Sequence, residues 1–330
     1  MINMAKPKSK VRVGIFGCGG IANLLVENLL KIEGVQIVAL YNRGRERLER
    51  MGKKVPRARL YQDALSMVAK EKMDAAIISL TPDCHGELEL ALAKNKVAMF
   101  IEKPIGLSEK VTKEIADEVN KNNVITSVAY QERYNPVLDL VKEMVKREPA
   151  GLVNAYWIGS MPSPEWWRTK ASSGGQAVEQ TTHLADMMRY IFGEAESVYA
   201  YGKRNENFLG AEHDVEDYSS ALIRMRNGIA LNLLSGCYTG AEAKVGFEII
   251  TTNHRIEYAW NNSLRIISSG KTEELNIRHD GYMTEIKTFI DAVKTGDRFQ
   301  IRSNYDDALE SLKLTLAVNR SMETNEVVKL

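Results

Sequence analysis

The sequence predicts an α/β protein of two domains: residues 1–130 form a parallel sheet covered by helices, and residues 131–330 form an α+β domain with an antiparallel sheet. Short apolar runs alternate with helical patterns in the first part, as is typical of parallel strands buried on both faces. After about Pro136 the strand-like runs become longer, and Asn227-Gly228 between two of them is a strong hairpin signal. A chain of 330 residues is long enough for two domains whose cores need no disulfide or metal.

In the first part, apolar runs of strand length are separated by amphipathic helical patterns. Helix 21–32, for example, places Leu24, Leu25, Leu29 and Ile32 on one side. The predicted strands are 11–16, 35–41, 75–80, 97–102 and 124–130. The predicted helices are 21–32, 87–94 and 108–120, and residues 45–51 form the start of another helix.

The second part is richer in strand patterns. Helix 177–192 interrupts them, and helices 284–295 and 305–321 follow them. Gly296 supplies a stop signal for the first of these two, and the last helix is a candidate for packing back onto the first domain. The predicted strands are 152–158, 197–203, 218–225, 229–235, 244–251, 255–260 and 264–268.

Composition and charge exclude several classes of protein. Lys and Arg number 44 against 43 for Asp and Glu, so the chain lacks the basic surplus of a protein that coats nucleic acid or binds a membrane surface through basic residues. The three cysteines are far apart, which argues against a disulfide framework or a zinc site. No apolar run has the length of a signal-peptide core or a membrane span. We therefore expect a cytoplasmic protein with no bound metal.

A glycine-rich loop follows the first predicted strand. Gly17, Gly19, Gly20, Ile21 and Ala22 form the G-x-G-x-x-A fingerprint of dinucleotide sites. Gly17 allows the tight turn, Gly19 lets the backbone approach a pyrophosphate, and Ala22 lets the helix pack closely on the sheet. The N-terminus of that helix offers N–H groups to the phosphates, so these five residues are predicted to bind a dinucleotide.

The end of the second strand bears on the choice of cofactor. NAD sites usually place an acidic residue about 20 residues after the fingerprint, where it binds the ribose hydroxyls. Here that position holds Asn42, and Arg43 follows it. An arginine without a neighbouring acid favours a 2′-phosphate. We therefore predict NADP, with NAD as the alternative.

Two further segments carry residues suited to acid–base chemistry. Lys103 follows an apolar strand, and the carboxyl ends of parallel strands face the ligand crevice. Glu179 and His183 are four residues apart, so in one helix they share a face, and Asp186 lies one turn further. A carboxylate beside an imidazole is a plausible acid–base pair.

Taken together, these motifs resemble the glucose–fructose oxidoreductase / inositol dehydrogenase / MocA (Gfo/Idh/MocA) family over nearly the whole chain. The resemblance implies an N-terminal Rossmann domain and a C-terminal domain with a large, mostly antiparallel open sheet. It also implies oxidation or reduction of a secondary alcohol of a sugar, cyclitol or derivative with NAD or NADP, often in dimers or tetramers built through that sheet. Besides the glycine loop and the closing region 285–330, it rests on 81–85 (TPDCH), 102–104 (EKP), 133–136 (RYNP) and His183-x-x-Asp186.

The resemblance assigns roles residue by residue. Lys103 matches the catalytic lysine of the family and His183 its active-site histidine, while Glu179 stands where many members have Asp. Thr181 stands where many have Gly, and Asp186 is expected to orient His183 or to bind backbone. The predicted cofactor contacts beyond the glycine loop are Asn42, Arg43, Thr81, His85, Glu102 and Lys103.

The substrate side is predicted from position. Trp166, Trp167, Arg168 and Lys170 precede the glycine pair that leads to Glu179, so they are expected near the pocket, although two core tryptophans and two solvated cations remain an alternative. The predicted substrate-binding set is Lys103, Arg133, Trp166, Trp167, Arg168, Glu179, His183 and Tyr282.

The leading functional prediction is an NAD(P)-dependent oxidoreductase that acts on a sugar-like alcohol and assembles as a homodimer or homotetramer. One alternative is an enzyme that cleaves glycosides through transient oxidation by bound NAD. Another is a non-enzymatic sensor that binds NADPH.

Overall fold

The computed structural model describes residues 8–205, 213–260 and 263–330, and it contains two compact units. The first unit comprises the described residues up to Gln131 together with Asp280–Leu309. The second comprises Glu132–His279 and Glu310–Leu330, without the gaps just named.

Strands in the described residues fall into two sheets. Those of the first unit are β1 (Val11–Phe16), β2 (Val35–Tyr41), β3 (Arg59–Tyr61), β4 (Ala75–Ile78), β5 (Ala98–Ile101) and β6 (Thr126–Val128). Those of the second are β7 (Ala150–Ile158), β8 (Ala195–Lys203), β9 (Tyr218–Met225), β10 (Ala230–Gly236), β11 (Lys244–Thr251), β12 (Arg255–Ala259), β13 (Ser263–Ser268), β14 (Lys271–Asn276) and β15 (Val328–Lys329).

The α-helices of the described residues are numbered in chain order. They are α1 (Gly20–Leu29), α2 (Arg45–Lys54), α3 (Ala64–Lys70), α4 (Glu87–Lys94), α5 (Glu109–Lys121), α6 (Pro136–Arg147), α7 (Lys170–Ser173), α8 (Gln176–Glu179), α9 (Thr182–Phe192), α10 (Gly281–Thr295) and α11 (Tyr305–Thr324). None of the helices described combines the length and the apolar character that crossing a membrane requires.

The sheet of the first unit has the strand order β3-β2-β1-β4-β5-β6, and its neighbouring strands are all parallel. This is the order of a Rossmann dinucleotide-binding domain, in which ligands bind beyond the carboxyl ends of the strands. The strands β1, β4 and β5 are almost wholly buried, as their apolar runs predict. The predicted Rossmann fold is confirmed.

Helix α10 completes the core of this unit from far along the chain. Its buried side chains Ile286, Phe289, Ile290 and Val293 join the core that contains β1 and α1. The predicted domain limits placed this helix in the second domain. The structure instead packs it in the first, because its apolar stripe belongs to that core.

The second unit contains a nine-stranded sheet in the order β14-β13-β12-β11-β7-β10-β9-β8-β15. Strands β7 and β10 pair in parallel, and the other neighbours are antiparallel. The predicted hairpin at Asn227-Gly228 is confirmed, since it joins β9 to β10 with Gly228 at φ 88°. The mostly antiparallel sheet expected for the second part is therefore present.

One face of this sheet carries the core and the other is open. Inward side chains of the strands pack with apolar residues of α6, α9 and α11, among them Val137, Leu184 and Leu314. On alternate positions large apolar side chains are exposed, namely Leu152, Tyr199, Tyr201 and Leu222. The period-2 alternation of buried and exposed residues in β9 produces this division.

Several elements differ from the sequence-based prediction. Helix α6 was not predicted, although Val137, Leu138 and Val141 lie on its buried side at helical spacing. Strand β3 has only three residues and β14 is almost wholly exposed and polar, so neither has a strong apolar pattern. Other elements that the prediction lacked are α3, α7 and β15.

Candidate active site

The glycine loop of the first unit turns tightly at Gly17. Its φ is 102°, and a Cβ atom there would lie 2.0 Å from the carbonyl oxygen of Ser79, so only glycine fits without strain. At Gly19 a Cβ atom would meet nothing within 4 Å, which leaves open space above the backbone.

The start of α1 is prepared for an anion. Gly19 is the N-cap and contributes no side-chain hydrogen bond, and the first turn carries no acidic residue. Gly20 and Ile21 are exposed there, whereas Ala22 is buried against the sheet. Uncapped N–H groups beside open space fit the pyrophosphate of a dinucleotide. These residues would hold that part of the cofactor.

Asn42 fastens the end of β2 to the glycine loop. Its Oδ1 accepts a hydrogen bond from the backbone N–H of Cys18 at 3.1 Å, and its Nδ2 donates to the carbonyl of Gly44 at 2.8 Å. The thiol of Cys18 is enclosed in this contact region, and burial raises its pKa to about 11. Both ends of the Asn42 amide are therefore used within the protein.

The arginines after β2 differ in their surroundings. Arg45 forms an ion pair with Glu49 at 2.6 Å, and Arg50 pairs with Glu46. Among the described residues, the side chains of Arg43 and Arg47 have no ion-pair partner. Arg43, just after β2, thus carries a guanidinium without an ion-pair partner at the position where the ribose of a dinucleotide binds in this fold.

Thr81, His85, Glu102 and Lys103 follow β4 and β5 at the carboxyl edge of the parallel sheet. Thr81 donates from Oγ1 to Cys84 Sγ at 3.3 Å, and it precedes a 3-10 turn at Pro82–Cys84. Glu102 is buried and Lys103 is half-buried. The position of Lys103 at this edge agrees with the site that the strand pattern predicts.

His85 is held by an internal carboxylate. Its Nδ1 lies 2.6 Å from Oε1 of Glu89, and both side chains are buried. Oε2 of Glu89 accepts from the N–H of Gly86 at 2.8 Å. Burial opposes ionisation, yet the imidazole and this N–H together lower the pKa of Glu89. This contact orients the imidazole of His85 at the start of α4, and its contact with the cofactor stays a prediction.

In the second unit, His183 lies between two tryptophans. Its ring stacks with Trp157 at a centroid distance of 6.0 Å and meets Trp260 edge-on at 5.5 Å. The two indoles are themselves 5.1 Å apart, and His183 is only 7% exposed. The sequence-based prediction missed both tryptophans, because each stands alone near a strand end and its local sequence pattern does not differ from that of an ordinary core residue.

Glu179 and His183 were predicted to share one helix, but the helix is interrupted between them. Helix α8 ends at Glu179 and α9 begins at Thr182. The N–H and Oγ1 of Thr181 both donate to the carbonyl of Gln176, five residues back, at 2.9 Å. The Thr181 hydroxyl also lies 2.9 Å from that of Ser235 on β10. These bonds widen the turn, as in a π-bulge.

Glu179 contacts another predicted site residue. Its Oε2 accepts a hydrogen bond from Nε1 of Trp167 at 2.5 Å. Trp167 is 1% exposed and packs with Val215 and Cys237, so it belongs to the core, as in the alternative of two core tryptophans. Its indole N–H also fixes the position of the Glu179 carboxylate. Trp166 packs at the edge of the same cluster.

Arg133 and Asp186 form a buried ion pair. Nε and Nη2 of Arg133 donate to the two carboxylate oxygens of Asp186, both at 2.7 Å, and Ser311 donates to the same carboxylate at 2.7 Å. The carboxylate of Asp186 is occupied by these groups, whereas its expected role was to orient His183 or to bind backbone. Arg133 is 3% exposed and makes this ion pair within the second unit, and its contact with substrate stays a prediction.

The remaining predicted residues lie on turns and helix starts. Arg168 ends a 3-10 turn at Glu165–Arg168 and is half-buried, and Lys170 pairs with Glu216. Tyr282 is the second residue of α10, in the first unit. In the parts of the chain that the structure describes, no group of three or more His, Cys, Asp or Glu side chains could hold a metal ion.

Two family models match the chain in succession. Residues 11–130 match the oxidoreductase family with an NAD-binding Rossmann fold, GFO_IDH_MocA, and residues 149–257 match the GFO/IDH/MocA C-terminal domain. The chain belongs to the Gfo/Idh/MocA family. The family predicted from the motifs is confirmed, and so is the prediction of a nicotinamide-dependent oxidoreductase.

Relatives of this Gfo/Idh/MocA chain match it over nearly its whole length. The myo-inositol 2-dehydrogenase of Thermotoga maritima is 28% identical, over 97% of this chain and 98% of the relative. The scyllo-inositol 2-dehydrogenase (NAD(+)) of Bacillus subtilis is 23% identical, over 97% and 96%. The solved structure of myo-inositol 2-dehydrogenase from Lactobacillus plantarum has a TM-score of 0.84 at 21% identity, over 97% of this chain and 99% of the other. That structural likeness shows a shared fold.

Proposed function

We propose that this chain transfers a hydride between NADP(H) and a secondary alcohol or ketone of a sugar, cyclitol or sugar derivative. The observation that carries the proposal is the glycine loop at the start of α1, where uncapped N–H groups adjoin open space in a chain of an oxidoreductase family. The names of the inositol dehydrogenases among its relatives support the class of substrate. The tryptophans beside His183 support it too, since aromatic walls are common in small-molecule pockets.

In this proposal Lys103 moves the proton. In the oxidising direction its neutral amine takes the hydroxyl proton while the C–H bond of the same carbon breaks and a ketone forms. A bound nicotinamide would supply the acceptor for the hydride. In the reducing direction the ammonium of Lys103 returns the proton to the developing alkoxide, so each turn of the reaction balances one hydride and one proton.

We propose that His183 and Glu179 support this chemistry. The imidazole of His183 packs against two indoles, which restricts the motion of its ring, and in this proposal it forms a hydrogen bond with the reacting oxygen. Glu179 is fixed by the Trp167 N–H, so its carboxylate has a set position. We assign Glu179 a supporting role, because it binds another protein group.

Direct assay tests the proposed function. The purified chain is mixed with NADP+ or NAD+ and a panel of inositols, neutral sugars, sugar acids and glycosides, and reduced nicotinamide is followed by its absorbance while products are identified by mass spectrometry. We expect a ketone and reduced cofactor in equal amounts. A split glycoside without accumulation of reduced cofactor contradicts the proposal in favour of the glycoside-cleaving alternative, and no turnover of any substrate favours the sensor.

Replacing Lys103 tests the proton transfer. General acid–base groups contribute about 10²–10⁴-fold, so Lys103→Ala is expected to lower kcat by about that factor, and His183→Ala by a similar one. Cofactor affinity, measured by calorimetry, stays nearly unchanged because the glycine loop provides most contacts. Glu179→Gln is the milder control, since an amide oxygen still accepts from Trp167. Wild-type turnover by Lys103→Ala would remove the central role we assign to this lysine.

The proposal extends to assembly and location. We propose a homodimer or homotetramer formed through the open face of the second sheet, where large apolar side chains are exposed. A cytoplasmic location is supported by the thiols of Cys18, Cys84 and Cys237, which are all free.

A further inference from the structure

The hydroxyls of Thr181 and Ser235 form a buried pair between the interrupted helix and the second sheet. Their oxygen atoms lie 2.9 Å apart, and the two residues are 0% and 5% exposed. Thr181 lies between α8 and α9, whereas Ser235 lies on β10. A hydrogen bond that is shielded from water is electrostatically stronger than an exposed one. This pair therefore attaches the junction of α8 and α9 to the sheet.

The direction of this hydrogen bond follows from the hydrogen count. A threonine hydroxyl has a single hydrogen, and Thr181 donates it to the carbonyl of Gln176 at 2.9 Å. A carbonyl can only accept, so the hydroxyl of Ser235 donates in its contact with Thr181. The same carbonyl of Gln176 accepts the backbone N–H of Thr181, which forms the wide turn after Glu179. One chain of hydrogen bonds thus runs from the sheet through Thr181 to the start of α8.

The strands beside Ser235 carry the tryptophans that contact His183. Ser235 on β10 is in register with Trp157 on β7, whose indole stacks with the imidazole of His183. Trp157 is also in register with Val245 on β11, and the carbonyl of Val245 accepts the backbone N–H of Trp260 at 3.0 Å. One row across three neighbouring strands therefore contacts the helical segment both at the hydroxyl pair and at the imidazole.

We propose that Thr181 and Ser235 are positioning residues, which set the place of His183 against its two tryptophans. This inference rests on the proposed function, because it concerns the histidine that is proposed to bind the reacting oxygen. Neither hydroxyl takes part in proton transfer, since each donates its hydrogen within the protein. The pair acts through His183 instead. A displacement of about 1 Å can cost about 10²-fold in rate, so loosening the start of α9 slows the chemical step.

Removing one hydroxyl at a time tests the pair. Thr181→Val keeps the shape of the side chain and loses both hydroxyl bonds, while Ser235→Ala loses only the donor of the pair. We expect each to lower kcat by about 10- to 100-fold with little change in KM, because the effect is on the reacting oxygen. Thr181→Ser keeps both bonds and should restore turnover. The double variant should be no slower than Thr181→Val, since the two hydroxyls act through one bond.

Thr315→Val is the matched control for the loss of a buried hydroxyl. Thr315 is a fully buried threonine of the same unit, and its hydroxyl also donates to a backbone carbonyl, that of Leu312, at 3.0 Å. Thr181→Val and Thr315→Val should therefore lower the melting temperature by similar amounts. Only Thr181→Val should lower kcat, because Thr315 lies on α11 and not at the junction of α8 and α9.

Fluorine NMR reports the surroundings of His183 without any turnover. The chain contains four tryptophans, so labelling with 5-fluorotryptophan gives four signals. Trp157→Phe and Trp260→Phe assign the two signals that come from beside the imidazole. We expect Thr181→Val to shift these two signals, because the imidazole moves relative to both indoles, and Thr315→Val to leave them in place.

The outcomes separate this inference from the proposed function. Wild-type kcat in Thr181→Val and Ser235→Ala, an equal loss in Thr315→Val, or a loss in KM alone would each overturn the positioning role and leave the dehydrogenase. If Thr181→Val does not fold, Ser235→Ala, which keeps the bond to Gln176, decides by the same comparison. If the wild type oxidises nothing, the fluorine signals decide. Signals shifted in Thr181→Val keep the positioning of His183 and remove the reaction, and unshifted signals remove both.

Discussion

Asn42 and Arg43 are neighbours with different tasks. The Asn42 amide is used at both ends, by Cys18 and Gly44, so it fastens β2 to the glycine loop. Arg43 has no ion-pair partner among the described residues, and its backbone carbonyl accepts from Gln62. In our proposal the guanidinium of Arg43 is therefore available to a 2′-phosphate, and no carboxylate at position 42 repels it.

Removing Arg43 tests this preference for NADP. A charge-assisted contact contributes about 1.5–3 kcal/mol, so Arg43→Ala should weaken NADPH binding roughly tenfold or more relative to NADH. Arg45→Ala is the matched control, because Arg45 is paired with Glu49 and should leave the ratio of the two affinities unchanged. Tighter binding of NADH than of NADPH by the wild type, measured by calorimetry, would reverse our assignment.

Some site residues could be predicted from the sequence because their signal is local. The glycine loop and Lys103 are defined by a strand and the residues directly after it. The partner of Asp186 could not be predicted, because Arg133 lies 53 residues away and only folding brings them together. The break after Glu179 was also hidden, since it depends on hydrogen bonds between Thr181 and the carbonyl of Gln176 and between the hydroxyls of Thr181 and Ser235, which leave the i, i+4 spacing intact.

At the scale of elements, two substitutions in the turn from β1 to α1 distinguish an effect on folding from an effect on cofactor binding. Gly17→Ala places a Cβ atom 2.0 Å from the Ser79 carbonyl at positive φ, so it should lower the melting temperature as well as cofactor affinity. At Gly19 the added Cβ meets no protein atom and φ is −77°, so Gly19→Ala should fold normally. It should nevertheless weaken the cofactor, because the methyl group occupies the space left for the pyrophosphate. Normal cofactor affinity in Gly19→Ala, measured by fluorescence titration, would contradict our placement.

Glu148 connects the end of α6 to the turn between β11 and β12. It accepts hydrogen bonds from Thr251, from the backbone of Asn253 and from His254, whose Nδ1 lies 2.7 Å from Oε2. The hydrogen bond from Thr251 is the largest of the effects that lower the pKa of Glu148 to about 2. The hydrogen bonds from Asn253 and His254 add to it, and burial opposes them. A carboxylate with a depressed pKa stabilises the fold above its unfolded pKa, about 4.3, and this contribution is lost as the pH falls toward 2.

Glu148→Gln should therefore destabilise the protein at neutral pH and less so in acid. Loss of the charge-assisted bonds costs about 1 kcal/mol, which corresponds to a decrease of about 2–4 °C in melting temperature. Thermal unfolding of the wild type and the variant between pH 7 and pH 3 checks this, and we expect the difference to shrink below about pH 4. A difference in melting temperature that grows in acid would contradict the stabilising role of the ionised Glu148 carboxylate.

Strands with strong patterns were predicted closely, and weak or polar elements were not. The predicted limits of β1, β2, β9 and β11 coincide with the structure because each strand has a clear apolar pattern, which is a continuous run in β1 and β2 and a period of two in β9. Strand β14 has no such period, since its position depends on backbone pairing with β13 alone. The position of β15 depends likewise on its partner β8, far away in the sequence.

At the scale of the whole molecule, the open face of the second sheet predicts self-association. Leu222 on β9 is 53% exposed and lies beside Tyr199 on β8, which is 44% exposed. Leu222→Arg should give a monomer mass in light scattering where the wild type gives a dimer or tetramer, because it places a charge among these side chains. Leu140→Arg on α6, 36% exposed, is the control and should assemble normally. A monomeric wild type at micromolar concentration would refute the assembly.

The return of the chain to its first unit, through α10, affects how the protein is made. A ribosome that has completed β6 must add roughly 150 further residues before Asp280–Leu309 is available. At about 5–20 residues per second, this takes on the order of ten to thirty seconds. During that time the apolar surface later covered by Ile286, Phe289 and Ile290 lacks its natural cover in the nascent chain. In this interval the uncovered apolar surface is available to a chaperone. A premature stop codon in the intervening segment would release a chain that lacks α10 and therefore cannot complete the core of its first unit.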